Sequence, residues 1–399
     1  MLKNKLIYFP SFSVGSFGND LVKDYKIKDV MPIRFYDQVF NELTHPNFLI
    51  TAGHFYKKKD ARKKYGVPDS SLLMGDSGGF QIATGALEYS KDLVKKIFHW
   101  LEDNADVSIN LDIPPRHKYA GKFQDCLNES YNNFKYFYEN QTGKTDFLNV
   151  LQGENETEFQ AWYKMASEFQ FQGWSIGGIA GSIYKMIAGL ITLLNNKEHL
   201  KTNNKYLHIL GTSKILDFAL LLQIQKSLND IGSNITITTD SSTPSRQVVY
   251  GGYHVGPDFK TMNFRMVHIP KIKDYVREKE LEWFGYSSID YLLTQIIKFD
   301  ELFKFDHDAY NAIVLHNLYV FIDTIKTIET YIDNRSYLIN DYTLFPSDVE
   351  KLLNVVDEII KSDKPSLIFD KYKPFIMSMN RQYSDDIVNS DKLNEFFTF

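Results

Sequence analysis

A closed parallel (β/α)8 barrel followed by a helical C-terminal region is the fold class this sequence predicts. Three observations carry it. Up to Pro270 the chain holds about eight short apolar runs, stretches with helical spacing lie between many of them, and polar or glycine residues stand where the runs end. Regular alternation of strand and helix favours a parallel sheet closed by helical crossovers over a sandwich or a bundle. An open doubly wound sheet is the alternative.

In chain order the strand-like runs are Asn47–Ala52, Ser71–Gly75, Asp106–Leu111, Phe147–Leu151, Trp174–Gly177, Tyr206–Leu210, Ile235–Thr239 and, with a weaker pattern, Phe264–His268. Between them Leu93, Ile97, Trp100 and Leu101 share one helix face, as do Phe159, Trp162, Tyr163, Ala166 and Phe169. Asp76, Asp112, Gln152, Gly178, Gly211 and Asp240 fall at, or one residue past, the carboxyl ends of these runs. Barrel active sites are assembled at that rim because the loops after the strands converge on the axis. Any one such residue alone would be an ordinary turn former. Beyond Pro270 no further glycine-punctuated unit appears. Leu315, Leu318, Ile322, Ile325 and Ile328 fit one helix face, and Val349, Leu352, Leu353, Val356 and Ile359 fit another, which reads as core packing without chemistry. The chain therefore divides into a catalytic barrel over residues 1–300 and a helical region over residues 301–399.

With 399 residues and 43% hydrophobic content the chain can bury a large core. Its single cysteine, Cys126, excludes an intramolecular disulfide and any zinc site built from several thiolates, and it points to a reducing compartment. The start of the chain has no long apolar stretch, and the most apolar later segment, Ile183 to Leu194, is short and contains Lys185. A cytoplasmic protein without a membrane span is expected. The net charge of -5 argues against a uniformly basic surface but allows a local phosphate track. Lys57, Lys58, Lys59, Arg62, Lys63 and Lys64 form the densest basic cluster, and Lys271, Lys273, Arg277 and Lys279 a second. Such runs are commonly solvated helix faces; beside a nucleotide site they become phosphate contacts.

Two acidic strand tips suggest an enzyme. Asp76 in Met74-Gly-Asp-Ser-Gly-Gly-Phe-Gln81 and Asp240 in Thr238-Thr-Asp-Ser-Ser-Thr-Pro-Ser-Arg246 can divide a displacement reaction between nucleophile and general acid or base. The run Gly75-Asp-Ser-Gly-Gly79 also mimics the serine motif of trypsin-like proteases. His54 is too near Ser77 in sequence for that fold, Phe80 replaces the expected following residue, and the disulfides are missing.

Several collinear segments resemble the tRNA-guanine transglycosylase superfamily, which exchanges guanine for a 7-deazaguanine base without cutting the nucleic-acid backbone. Asp76-Ser-Gly-Gly-Phe-Gln81 is similar to its first aspartate motif, Val150-Leu-Gln-Gly153 to its base-recognition strand, and Ile176-Gly-Gly-Ile-Ala180 to its glycine-rich base loop. Asp240-Ser-Ser-Thr-Pro-Ser-Arg246 keeps the spacing of its nucleophile motif, and Leu315-His-Asn-Leu-Tyr319 is similar to a helix after its barrel. The resemblance covers roughly residues 45–330. It implies that Asp240 attacks C1′ of the target nucleoside and that Asp76 carries the proton for the departing and arriving base. By the same resemblance Ser77, Gly78 and Gly79 orient the site, and Phe80 and Leu210 stack on the two base faces. Asp112 and Gln152 read a guanine-like edge, while Gly177, Gly178 and Gly211 bring backbone close to the flat ligand. Arg246 and the Lys57–Lys64 cluster would meet phosphates, the cluster at the same rim as the acids.

One departure alters the substrate argument. Usual members bind zinc after the barrel through three cysteines and a histidine; His316 matches the histidine, but Trp283 to Tyr291 contains no cysteine. No metal and no cofactor are expected, and His316 reads as a packed helix histidine. The resemblance is closer to the divergent branch that inserts 7-deazaguanines into DNA, found in bacteriophages and bacterial DNA-modification clusters. The expected partners are guanine sites in DNA and a free 7-deazaguanine base. The alternatives are a tRNA acceptor and a noncatalytic nucleic-acid-binding subunit, and a homodimer is left open.

Overall fold

The computed structural model describes residues 3–12, 45–58, 61–62, 69–179, 181–268, 307–335 and 343–384. Eight parallel strands close into a barrel: β1 (Ile7–Phe12), β2 (Phe48–Thr51), β3 (Leu73–Asp76), β4 (Val107–Ile109), β5 (Asp146–Leu151), β6 (Gly173–Ile176), β7 (Tyr206–Ile209) and β8 (Thr236–Ser241). Each pairs with the next, and β8 returns to β1 through Ile7↔Thr238 and Phe9↔Asp240.

The expected strand set needs two corrections. The strand that opens the barrel, β1, was not among the predicted runs, because Pro10 lowers the strand reading of its segment. In the fold Pro10 stands at the last position of the ladder to β8, after which Ser11 and Phe12 pair with β2, so its missing N–H falls where pairing changes sides. Phe264–His268 is a strand outside the barrel. It forms β10 (Asn263–His268), antiparallel to β9 (Gly252–Asp258). Only a short turn separates the two, and a parallel pairing needs a long crossover.

The connections carry helices α1 (Ala52–Phe55), α2 (Gly79–Thr84), α3 (Lys91–Asn104), α4 (Phe123–Asn140), α5 (Glu156–Ala166), α6 (Ile183–Asn195), α7 (Ile215–Asp230) and α8 (Thr243–Val249). Their starts are written in the sequence: Ser90, Asn155 and Ser182 each accept a backbone N–H three residues on, at Leu93, Glu158 and Lys185. Most have one apolar face, but α7 is buried nearly all round, through Phe218, Leu220, Leu221, Leu222 and Ile224. A helix apolar on every side needs cover on every side.

That cover comes from the C-terminal helices α9 (His307–Asn334), α10 (Ser347–Lys361) and α11 (Pro365–Ser384). Helices α9 and α10 pack on α7, and α11 packs on α6, as a second outer layer. Both predicted apolar stripes, Leu315 to Ile328 and Val349 to Ile359, are buried there in one core continuous with the barrel. Polar ties cross the seam, including Ser227 Oγ to Asp357 at 2.6 Å and Lys373 to Glu156 at 2.6 Å. Among the described residues, no helix is long and apolar enough to cross a membrane.

Candidate active site

Strand β3 ends on Asp76 because the chain must turn at once. Gly75 lies under α3, where a Cβ would meet the Leu101 side chain at 2.4 Å. Gly78 then takes φ +93° and backs onto Gly53, a conformation and a contact that both require glycine. The turn aims the Gly78 N–H at Asp76 Oδ1, 3.3 Å away. Ser77 is buried, and its hydroxyl donates to the Asn110 carbonyl at 3.1 Å, tying the β3 and β4 loops together. Its one hydroxyl proton is thereby engaged.

Asp240 sits on β8, with Oδ1 accepting from the Gly211 N–H at 2.8 Å. The Thr212 N–H donates to the Asp240 carbonyl at 3.0 Å, so the loop after β7 is fixed to the acid at two points. Gly211 can supply that N–H because it adopts φ +69°. His208, fully buried on β7, places Nε2 3.4 Å from the same Oδ1, at ion-pair range but outside hydrogen-bond geometry. Its other ring nitrogen is held by Thr238 Oγ1 at 2.8 Å.

The acids feel each other. Asp76 keeps an edge open to the mouth. Even so, burial, then the charge of Asp240, push its carboxyl up to about 6, partly offset by the Gly78 N–H, the Thr51 side chain and His208. Asp112 is raised to about 7, mainly by burial, with Gln152 and Arg116 opposing the rise and Asp76 adding to it. The Gln152 amide donates to Asp112 Oδ2 at 2.8 Å, and both side chains are buried. Glycine is required around this pair. A Cβ on Gly79 would stand 2.6 Å from the Asp112 carbonyl, one on Gly177 2.3 Å from Gln152 Nε2, and one on Gly178 2.6 Å from Gln152 Oε1.

Thus Asp76, Asp112, Gln152, Gly177, Gly178, Gly211 and Asp240 all lie at the carboxyl ends of barrel strands, as expected; Asp112 lies three residues past β4. Leu210 is half-buried beside them. Phe80 stands 53% exposed on the lip. Arg246 is exposed on α8, directly after β8.

Within the basic cluster, Arg62 is placed differently from expectation. After α1 the chain leaves the rim and descends along α3: the Lys58 carbonyl accepts from Trp100 Nε1, and the Ala61 N–H donates to Asn104 at the last turn of α3. Arg62 ends at the amino-terminal foot of the barrel, paired with Asp106 and donating to the Ser71 carbonyl. It faces away from the acids because Asp106 also caps the start of β3 through the Leu73 N–H. Lys57 and Lys58 lie against the rings of Tyr56 and Phe55. Lys59, Lys63, Lys64 and the second cluster from Lys271 to Lys279 lie outside the described residues.

His316 is fully buried, with Nδ1 3.2 Å from the Tyr253 hydroxyl and Nε2 2.7 Å from the His254 carbonyl. Both ring nitrogens are therefore engaged. Trp283 to Tyr291 lies outside the described residues, and among those described no group of three or more His, Cys, Asp or Glu could hold a metal ion.

Two residues were missed in the sequence. His208 was hidden in an apolar run whose period-two alternation turns it inward beside Asp240; a lone histidine on an inward strand position was the available signal. Arg116, after Pro114-Pro115, binds the Gly178 carbonyl and pairs with Glu154 at 3.3 Å. Scanned against models of known protein families the chain matches none, and no curated protein matches it.

Proposed function

We propose that this chain is a base-exchanging transglycosylase that replaces guanine in DNA with a 7-deazaguanine. The observation that carries the reading is the asymmetry of two interacting carboxyls at one barrel mouth. Asp76 is held near neutrality for proton transfer, and Asp240 is fixed by a backbone donor. In the first step Asp240 attacks C1′, the C1′–N9 bond breaks, and the proton of Asp76 passes to the departing guanine. In the second, the incoming base gives its N9 proton to Asp76 and attacks C1′, releasing the Asp240 carboxylate. Charge and protons balance over the cycle without a cofactor.

Asp112 and Gln152 supply a donor and acceptor pair for a guanine-like edge, backed by glycines that let a flat ring approach. His208 is a positioning residue beneath Asp240. The neighbouring family is the tRNA-guanine transglycosylase superfamily, in its DNA-acting branch; the engaged ring of His316 supports a subdomain that does not rely on this histidine for zinc. The test supplies radiolabelled guanine and offers single-stranded DNA, duplex DNA and tRNA. Label entering DNA and lost with Asp240→Asn is expected. Label entering tRNA alone moves the acceptor to RNA, and label entering no acceptor refutes base exchange.

A further inference from the structure

The rim carries a basic, aromatic segment that the sequence reading passed over. Between β4 and α4 the chain runs Arg116-His-Lys-Tyr-Ala-Gly-Lys122. Its root is firm: the Ile113 N–H donates to Ser130 Oγ at 2.9 Å, and the Arg116 guanidinium holds the Gly178 carbonyl and Glu154. Its tip stands out, with His117, Lys118 and Lys122 all exposed. Neither lysine pairs with a carboxylate among the described residues, although Asp125 begins the next helix; the Lys118 ammonium lies over the Tyr119 ring at 5.1 Å.

His117 adopts φ +50°, a left-handed conformation that costs a non-glycine residue roughly 1 kcal/mol. What it gains is visible: its ring meets Phe80 edge-on, with centroids 5.3 Å apart at 82°. An edge contact steadies Phe80 while leaving a ring face open, and this is a large aromatic more than half exposed beside buried acids. Strained backbone and exposed aromatics at one mouth are the marks of a ligand surface.

We infer that the Arg116–Lys122 connection, with Phe80, forms a lip that holds an unpaired nucleic-acid strand. Lys118 and Lys122 take backbone phosphates flanking the target, and His117 steadies Phe80, the ring already expected to stack on a base, at the mouth. A cationic track with an interleaved aromatic platform is how single strands are held without sequence reading. A duplex would first have to open, because its base faces are covered. The inference rests on the proposed base exchange and gives it phosphate contacts at the mouth itself, which Arg62, at the barrel foot, does not supply.

The experiment is fluorescence anisotropy of a short labelled single-stranded oligonucleotide, titrated at several salt concentrations. Removing two phosphate contacts in the Lys118→Ala/Lys122→Ala double variant should flatten the log–log salt slope by about 1.4, at ~0.7 per single-strand phosphate. Phe80→Ala should weaken binding roughly tenfold with the slope unchanged, since stacking is not ionic. A double variant with the wild-type slope and affinity would overturn the lip. Covalent capture by the wild-type protein, run in parallel, judges the chemistry separately: capture with an unchanged slope removes the lip alone, and absence of capture removes base exchange.

Discussion

At Asp240 one carboxylate oxygen is already occupied: Oδ1 accepts from Gly211 and faces His208, while Oδ2 makes no hydrogen bond among the described residues. In the proposed exchange, that leaves Oδ2 for C1′ and holds the group still during attack. The proposal gives Asp76 the opposite task. Burial and the Asp240 charge favour its neutral form up to about pH 6, so it can hold a proton there and lose it above. The sign follows directly. In the proposed exchange, cleavage of the departing base uses protonated Asp76, so the single-turnover rate of covalent capture should fall as pH rises through about 6. Asp76→Asn should be slower by on the order of a hundredfold and should lose that limb. A wild-type rate that climbs across this range would remove Asp76 from the acid role.

The loops that position these acids are specified locally, whereas the path of the basic cluster is not. Gly75, Gly78 and Gly178 were readable as glycines at strand ends, and each answers a contact or a backbone angle that any side chain would spoil. Arg62 was not readable, because its partner Asp106 lies on another element and only the tertiary fold shows that the segment descends to the barrel foot. The same gap explains β1. Its pairing partners Thr238 and Leu49 are distant in sequence, and Pro10 argues locally against a strand. For Arg62 the consequence is a stability role: Arg62→Ala should cost about 1–3 kcal/mol in denaturant unfolding, through the loss of a charged hydrogen bond and a carbonyl partner. The salt slope of nucleic-acid binding should stay as in wild type. A flattened slope with unchanged stability would return Arg62 to the interface.

Across the whole molecule, the barrel and the C-terminal helices are one packing unit. Helix α7 is covered on its outer side by α9 and α10, whose apolar stripes are predicted by their own helical spacing. The architecture was therefore legible from periodicity, and so was the set of strand-end polar residues. His208 was not, since an inward histidine gains meaning only when β7 and β8 are seen side by side. Base exchange as proposed requires Asp240 to bond covalently to a nucleoside at this mouth. The most direct measurement is intact-protein and peptide mass spectrometry after incubation with a guanine-containing single-stranded DNA and denaturing quench. The proposed exchange predicts a protein–DNA adduct that maps to the peptide holding Asp240, is discharged by an added 7-deazaguanine, and is absent from Asp240→Asn. An adduct that maps elsewhere, or that persists in Asp240→Asn, would contradict it.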